Sequence, residues 1–193
     1  MAHGSVLQTG ISNGKIAMWL FLGSEVMFFT GLIGAYIVLR FGAGTWADPL
    51  DPDYPLDIPL TAANTFLLIC SSVSLVWALQ GFQTDNRRQG NLGLLITTLI
   101  GAGFVGVQVY EYLTLWSHGM LPRSDLFASC FYAMTGFHGL HVAIGVAGLA
   151  CLTVMGYAGR FNSRDYATVE NWGLYWHFVD LVWIILFAIV YLM

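Results

Sequence analysis

The stretch Trp19–Tyr36, WLFLGSEVMFFTGLIGAY, is apolar throughout except for one carboxylic acid, Glu25, near its middle. Lys15 and Arg40 bound the run, leaving about 24 residues between two cations, ~36 Å of helix. That length crosses a hydrocarbon core of ~30 Å with some tilt. Glu25 then lies ~15 Å from the Lys15 level, close to the bilayer midplane. An acid at that depth costs a few kcal/mol, so it is expected to face protein or a polar cavity rather than lipid. The remaining chain reads as the scaffold around it.

Composition agrees with a membrane chain. Charged residues make up 9% of the 193 residues, far below the roughly 25% of a soluble domain. One all-α membrane domain, 1–193, is expected, with no room for a separate soluble one. The net charge of −4 matters less than where charges fall, and no nucleic-acid partner is expected. Cys70, Cys130 and Cys151 lie far apart in or beside apolar runs, without CxxC or Cys/His spacing, and read as buried inert thiols. The tail Met1–Gly14 is short and polar and the following run exceeds a signal-peptide core, so the first span is expected to stay inserted.

Hydropathy predicts five spans, at about 15–40, 59–82, 91–116, 126–157 and 172–193. A turn-rich segment, Gly42–Asp57, follows the first, with Pro49, Pro52 and Pro55 and four aspartates. Pro59 suits the first turn of the second span. With the N-terminus inside, Lys15, Arg87, Arg88, Arg160 and Arg164 fall inside and only Arg40 and Arg123 outside, which favours that orientation and an outside C-terminus. Gly101–Gly106, GAGFVG, fits a dinucleotide fingerprint by its letters, but inside an apolar run it reads as helix packing. Gly31, Gly34, Gly136, Gly139, Ala143 and Ala147 receive the same reading.

Beyond Glu25, the polar residues within the spans are Asn64, Gln108, Glu111, His138, His141, His177 and Asp180. His138 and His141 are three apart on one helix face, as are His177 and Asp180, a pair spaced to hydrogen-bond. His141 and His177 fall in the same half of the membrane, so the two helices could bring them together. Three roles stay open for this set: mutual satisfaction between packed helices, a lipid-lined crevice, or proton relay and metal binding. No Glu-x-x-His pair of the di-iron type occurs, and spacing alone cannot establish a haem site. No catalytic, cofactor-binding or metal-ligating residue is assigned. Glu25 is expected to stay uncharged and donate a hydrogen bond to a neighbouring helix.

Five segments carry a resemblance: GSEVMFF (Gly23–Phe29), AANTFLLICSS (Ala62–Ser72), VQVYEY (Val107–Tyr112), TGFHGLHVAIG (Thr135–Gly145) and YWHFVDLVW (Tyr175–Trp183). In this order, one per span, they resemble subunit III of haem-copper oxidases. SEVMFF and NTFLL look like the cytochrome c oxidase branch rather than the quinol-oxidising one.

The resemblance implies a subunit without its own redox centre. Haem, copper, dioxygen reduction and proton pumping belong to subunit I, and subunit II takes electrons from cytochrome c. Subunit III packs on subunit I, binds phospholipid in a cleft, and supports proton uptake. Glu25, Glu111, the His138/His141 pair and the His177/Asp180 pair match the family's intramembrane polar positions. Longer members have seven helices, and this chain resembles the five-helix bacterial form, of the cytoplasmic membrane, which leaves the second wall of the lipid cleft to another chain. A free-standing proton channel or transporter is the rival class, weakened by the lack of an inverted repeat. The acidic residues Asp48, Asp51, Asp53 and Asp57 read as a solvated loop, with steering of a basic cytochrome c as the alternative.

Overall fold

The computed structural model describes residues 12–44, 46 and 56–192. Asp48, Asp51 and Asp53 lie outside the described residues. Five long helices follow one another: α1 (Asn13–Gly42), α2 (Ile58–Gln83), α3 (Arg87–Ser117), α4 (Leu126–Tyr157) and α5 (Ala167–Tyr191). Each is long and apolar enough to cross a membrane, and no strand occurs among the described residues.

Local chemistry sets the helix starts. Ser12, Asp57, Asn86 and Asp125 sit at the N-caps of α1 to α4, each side chain accepting a backbone N–H three residues on. The Asn86 cap draws Arg87–Gly90 into the first turn of α3, so this helix begins four residues before the apolar run. α5 likewise begins at Ala167, not near 172, carrying Glu170 and Asn171 on its first turns. Hydropathy marks the apolar part of a helix, and both helices extend past it. Gly119 (φ 83°) and Gly159 (φ 76°) end α3 and α4 in the left-handed region, where the absence of Cβ avoids strain.

Helices α2, α3, α4 and α5 close into a four-helix body, each touching the next and α5 returning to α2. Helix α1 stands outside the ring, in the groove between α4 and α5. The ion pair Lys15–Glu170 joins the starts of α1 and α5, and the Tyr36 hydroxyl reaches the Ile189 carbonyl near their ends, so these two run parallel. Lys15, Arg87, Arg88, Arg160 and Arg164 gather at one end of the bundle, the basic end, while Arg40 and Arg123 lie at the other.

Rings set against small residues fill the body. Trp176 lies where a Cβ on Gly101 or Gly145 would stand, within 2.6 and 2.8 Å. Trp172 occupies that space at Gly148 and the Gln108 amide at Gly139. Near the basic end, a Cβ on Gly81 would meet the Gly90 backbone at 2.6 Å, so α2 and α3 approach almost backbone to backbone. Gly136 has only ordinary contact with Tyr112, and Gly31 and Gly34 face open space. The expectation that the α1 glycines admit a neighbouring helix therefore fails within this chain, because they lie on the face turned away from the body. The cysteines need correction too: Cys70 and Cys130 are half-buried and Cys151 is exposed, since they occupy outward faces of their apolar helices.

Candidate functional site: polar pairs inside the bundle

Glu25 lies on the outlying helix α1, not at the centre of the bundle, and faces α4. Its Oε2 is 3.1 Å from His141 Nε2, and the rings of Phe28 and Phe29 pack on the His141 imidazole, with Phe137 edge-on to Phe28. The other ring nitrogen, Nδ1, lies 2.7 Å from the Phe137 carbonyl. A carbonyl only accepts, so Nδ1 carries a proton. Nε2 and Oε2 then hold one proton between them, as neutral acid with neutral imidazole or as carboxylate with imidazolium. The expected hydrogen bond from α1 to a neighbour is present in form, but its partner is a titratable group. The two histidines of the FHGLH segment part company: His141 faces α1, whereas His138 is fully buried in the body.

His138 Nε2 donates to the Val179 carbonyl of α5 at 3.1 Å, and the ring stacks on Trp183 with centroids 4.7 Å apart. Its Nδ1 is buried without a partner. Trp183 Nε1 in turn donates to Thr65 of α2, so a single layer ties α4, α5 and α2.

Glu111, near the far end of α3, is buried beside the Tyr191 hydroxyl, which lies 3.1 and 3.0 Å from its two oxygens. Thr61 of α2 donates to it at 3.0 Å. Neither partner was legible in the sequence. Gln108 donates to the Thr135 carbonyl of α4, and Asn64 to the Phe104 carbonyl of α3.

The spacing predicts a hydrogen bond between His177 and Asp180, but each bonds to Ser72 of α2 instead. Ser72 of α2 stands between them: its hydroxyl donates to Asp180 Oδ2 at 2.8 Å, and its oxygen lies 3.1 Å from His177 Nδ1. His141 and His177 do not meet either, because one points to α1 and the other to α2.

A furrow runs between α1 and α5. At the basic end it widens to about 670 Å³ among Lys15, Trp19, Arg164, Tyr166 and Glu170. Beyond Trp19 it continues as an apolar groove of about 360 Å³ past Gly23, Val26, Leu174 and Leu181. Among the described residues, no three of His, Cys, Asp and Glu gather closely enough to hold a metal ion.

These features define a class first: a multi-pass membrane helix bundle whose intramembrane acids each face a partner on another helix. A family model described as cytochrome c oxidase subunit III matches residues 1–193. Cytochrome c oxidase subunit 3 of Thermostichus vulcanus is 40% identical over 181 residues, 92% of this chain and 86% of that one. The protein of the same name from Bacillus sp. (strain PS3) is 33% identical over 183 residues, 94% and 86% of the two chains. That of Rattus norvegicus is 35% identical over 195 residues, 98% and 72%. The chain belongs to the cytochrome c oxidase subunit III family, and is a membrane subunit of a haem-copper oxidase.

Proposed function

We propose that this chain is a non-catalytic subunit of a bacterial cytochrome c oxidase of the cytoplasmic membrane. In this reading it packs on subunit I, binds phospholipid, and supports proton uptake while the partner subunits reduce dioxygen to water. The observation that carries the reading is that each motif acid is engaged by another helix: Glu25 by His141, Glu111 by Thr61 and Tyr191, and Asp180 by Ser72. Acids used this way fix helix register. Cytochrome c, rather than quinol, as donor is supported by the names of the relatives. The basic end faces the cytoplasm, following the bias of cations to that side.

The furrow between α1 and α5 suits a phospholipid. Lys15 and Arg164 meet the phosphate, Trp19 and Tyr166 sit at headgroup level, and the groove beyond takes an acyl chain. A Lys15→Gln/Arg164→Gln variant should lose co-purifying anionic phospholipid, read by mass spectrometry. The whole reading is tested by purification through a tag on this chain in mild detergent. Haem bands in the reduced-minus-oxidised spectrum, with turnover on cytochrome c and not on quinol, are expected. Turnover on quinol alone would change the donor, and a colourless preparation would overturn the assignment.

A further inference from the structure

Asp180 presents an unusual combination. It is only 6% exposed, one carboxylate oxygen accepts from Ser72, and the other, Oδ1, is buried without a partner. Because the Ser72 hydroxyl donates to Asp180, its oxygen accepts from His177, which fixes a proton on His177 Nδ1. His177 lines both the α1–α5 groove and a crevice of about 190 Å³ between α2 and α5. Glu170, ion-paired with Lys15 at the basic end, lines that same crevice. Glu170 and His177 are seven residues apart on one face of α5, ~10 Å along the axis. Gly173 lies between them, and a Cβ there would just touch Leu75, at 4.0 Å. The missing side chain leaves room between them; the other walls are Leu75, Val76, Leu79, Val169 and Leu174, so Glu170 and His177 are the two side chains there that can hydrogen-bond to water.

We propose that the α2–α5 crevice is a proton-accepting branch, in which Asp180 exchanges its proton with the aqueous phase at the basic end through His177 and Ser72. A proton arriving from crevice water at Nε2 makes His177 an imidazolium. Nδ1 then gives its proton to Ser72 Oγ as Ser72 passes its own to Asp180 Oδ2. The ring ends neutral with the proton on Nε2, Ser72 is again a hydroxyl, and Asp180 is a neutral acid. The titratable groups around the path are Glu170 on α5, Lys15 on α1 and His138 on α4, the last turned to the Val179 carbonyl. From helix α2, the hydroxyls of Ser71 and Ser72 reach α5 here.

The purpose of the branch rests on the proton-uptake reading above, but its chemistry does not. The test is infrared spectroscopy of the purified complex, with the protonated Asp180 carbonyl band assigned by its loss in Asp180→Asn and its shift in Asp180→Glu. The rate at which that band moves on transfer to D2O is then compared in wild type, Ser72→Ala and Gly173→Val. Both variants should slow exchange at least ~10-fold, the scale of a lost proton-transfer partner. Gly173→Val leaves every relay group in place, so it separates a blocked path from a disturbed fold. No protonated Asp180 band near neutral pH, or unchanged exchange in both variants, would overturn the proposal. Loss of the oxidase assignment would show instead as missing haem, whatever the exchange rates.

Discussion

Helix α1 and the four-helix body solve the same problem in different ways. Only Leu22, Phe29 and Tyr36 of the thirty residues of α1 are buried, whereas eleven of the twenty-five residues of α5 are. The body is held by shape, with indole rings seated over glycines and hydroxyls tied across helices. Helix α1 is held by a single seam with a polar tie at three levels: Lys15 to Glu170, Glu25 to His141, and Tyr36 to the Ile189 carbonyl. In lipid, where apolar surface gains little from contact with another apolar helix, packing and hydrogen bonds provide the attachment. The acid that first draws the eye thus serves the most weakly held helix.

The sharpest way to break this contrast is to remove a ring from the body. Trp176→Ala empties the cradle over Gly101 and Gly145 and strips Ser71 of its Nε1 donor. It should cost ~3–5 kcal/mol, read as a loss of unfolding midpoint in SDS titration. Glycine replacements come next. Gly101→Val pushes into Trp176 and Val146 and should cost ~1–3 kcal/mol. Gly31→Val, facing open space, should stay within about ±0.5 kcal/mol in the same assay. A large cost at Gly31 in the isolated chain would show that this face of α1 is seated against the body.

Smaller effects belong to the surface ties. Lys15 and Glu170 are each about a third exposed, so Lys15→Met should cost under ~1 kcal/mol and less as salt is raised. Asp85 links the α2–α3 turn to the α4–α5 connection by accepting the Ser163 N–H and hydroxyl. Those bonds hold its carboxyl below the ordinary value of 3.8. A depressed folded value adds stability that is full above the unfolded value and is lost as pH falls through the folded one. The difference between wild type and Asp85→Asn should therefore be constant at neutral pH and shrink only below about pH 4.

The five helices were legible because each apolar run is bounded by charges or turn residues. The cap residues Asn86 and Asp125 were legible in principle, and reading Asn86 would have placed the start of α3 correctly. The position of α1 also left a trace. Lys15, Leu22, Phe29 and Tyr36 recur every seven residues, with Met18, Glu25 and Leu32 between them, the two-position repeat of a narrow helix seam. That pattern marks a helix with one contact line rather than a central one. The hydroxyl partners Thr61, Thr65 and Ser72 gave no signal. Such side chains also bond their own helix, as Thr65 does to the Thr61 carbonyl, so their presence in a span marks no cross-helix contact. The link from Ser72 to Asp180 joins residues 108 apart in sequence, and depth arguments alone cannot pair them.

The most direct test of this contrast is a double-mutant cycle on Glu25 and His141, read from SDS-titrated unfolding of the purified protein. Each single alanine variant should lose ~1 kcal/mol, and the double variant should be little worse than either, giving a coupling of ~1 kcal/mol across the pair. Fully additive losses would mean that Glu25 and His141 act separately, and that something other than this polar tie holds α1 to the body.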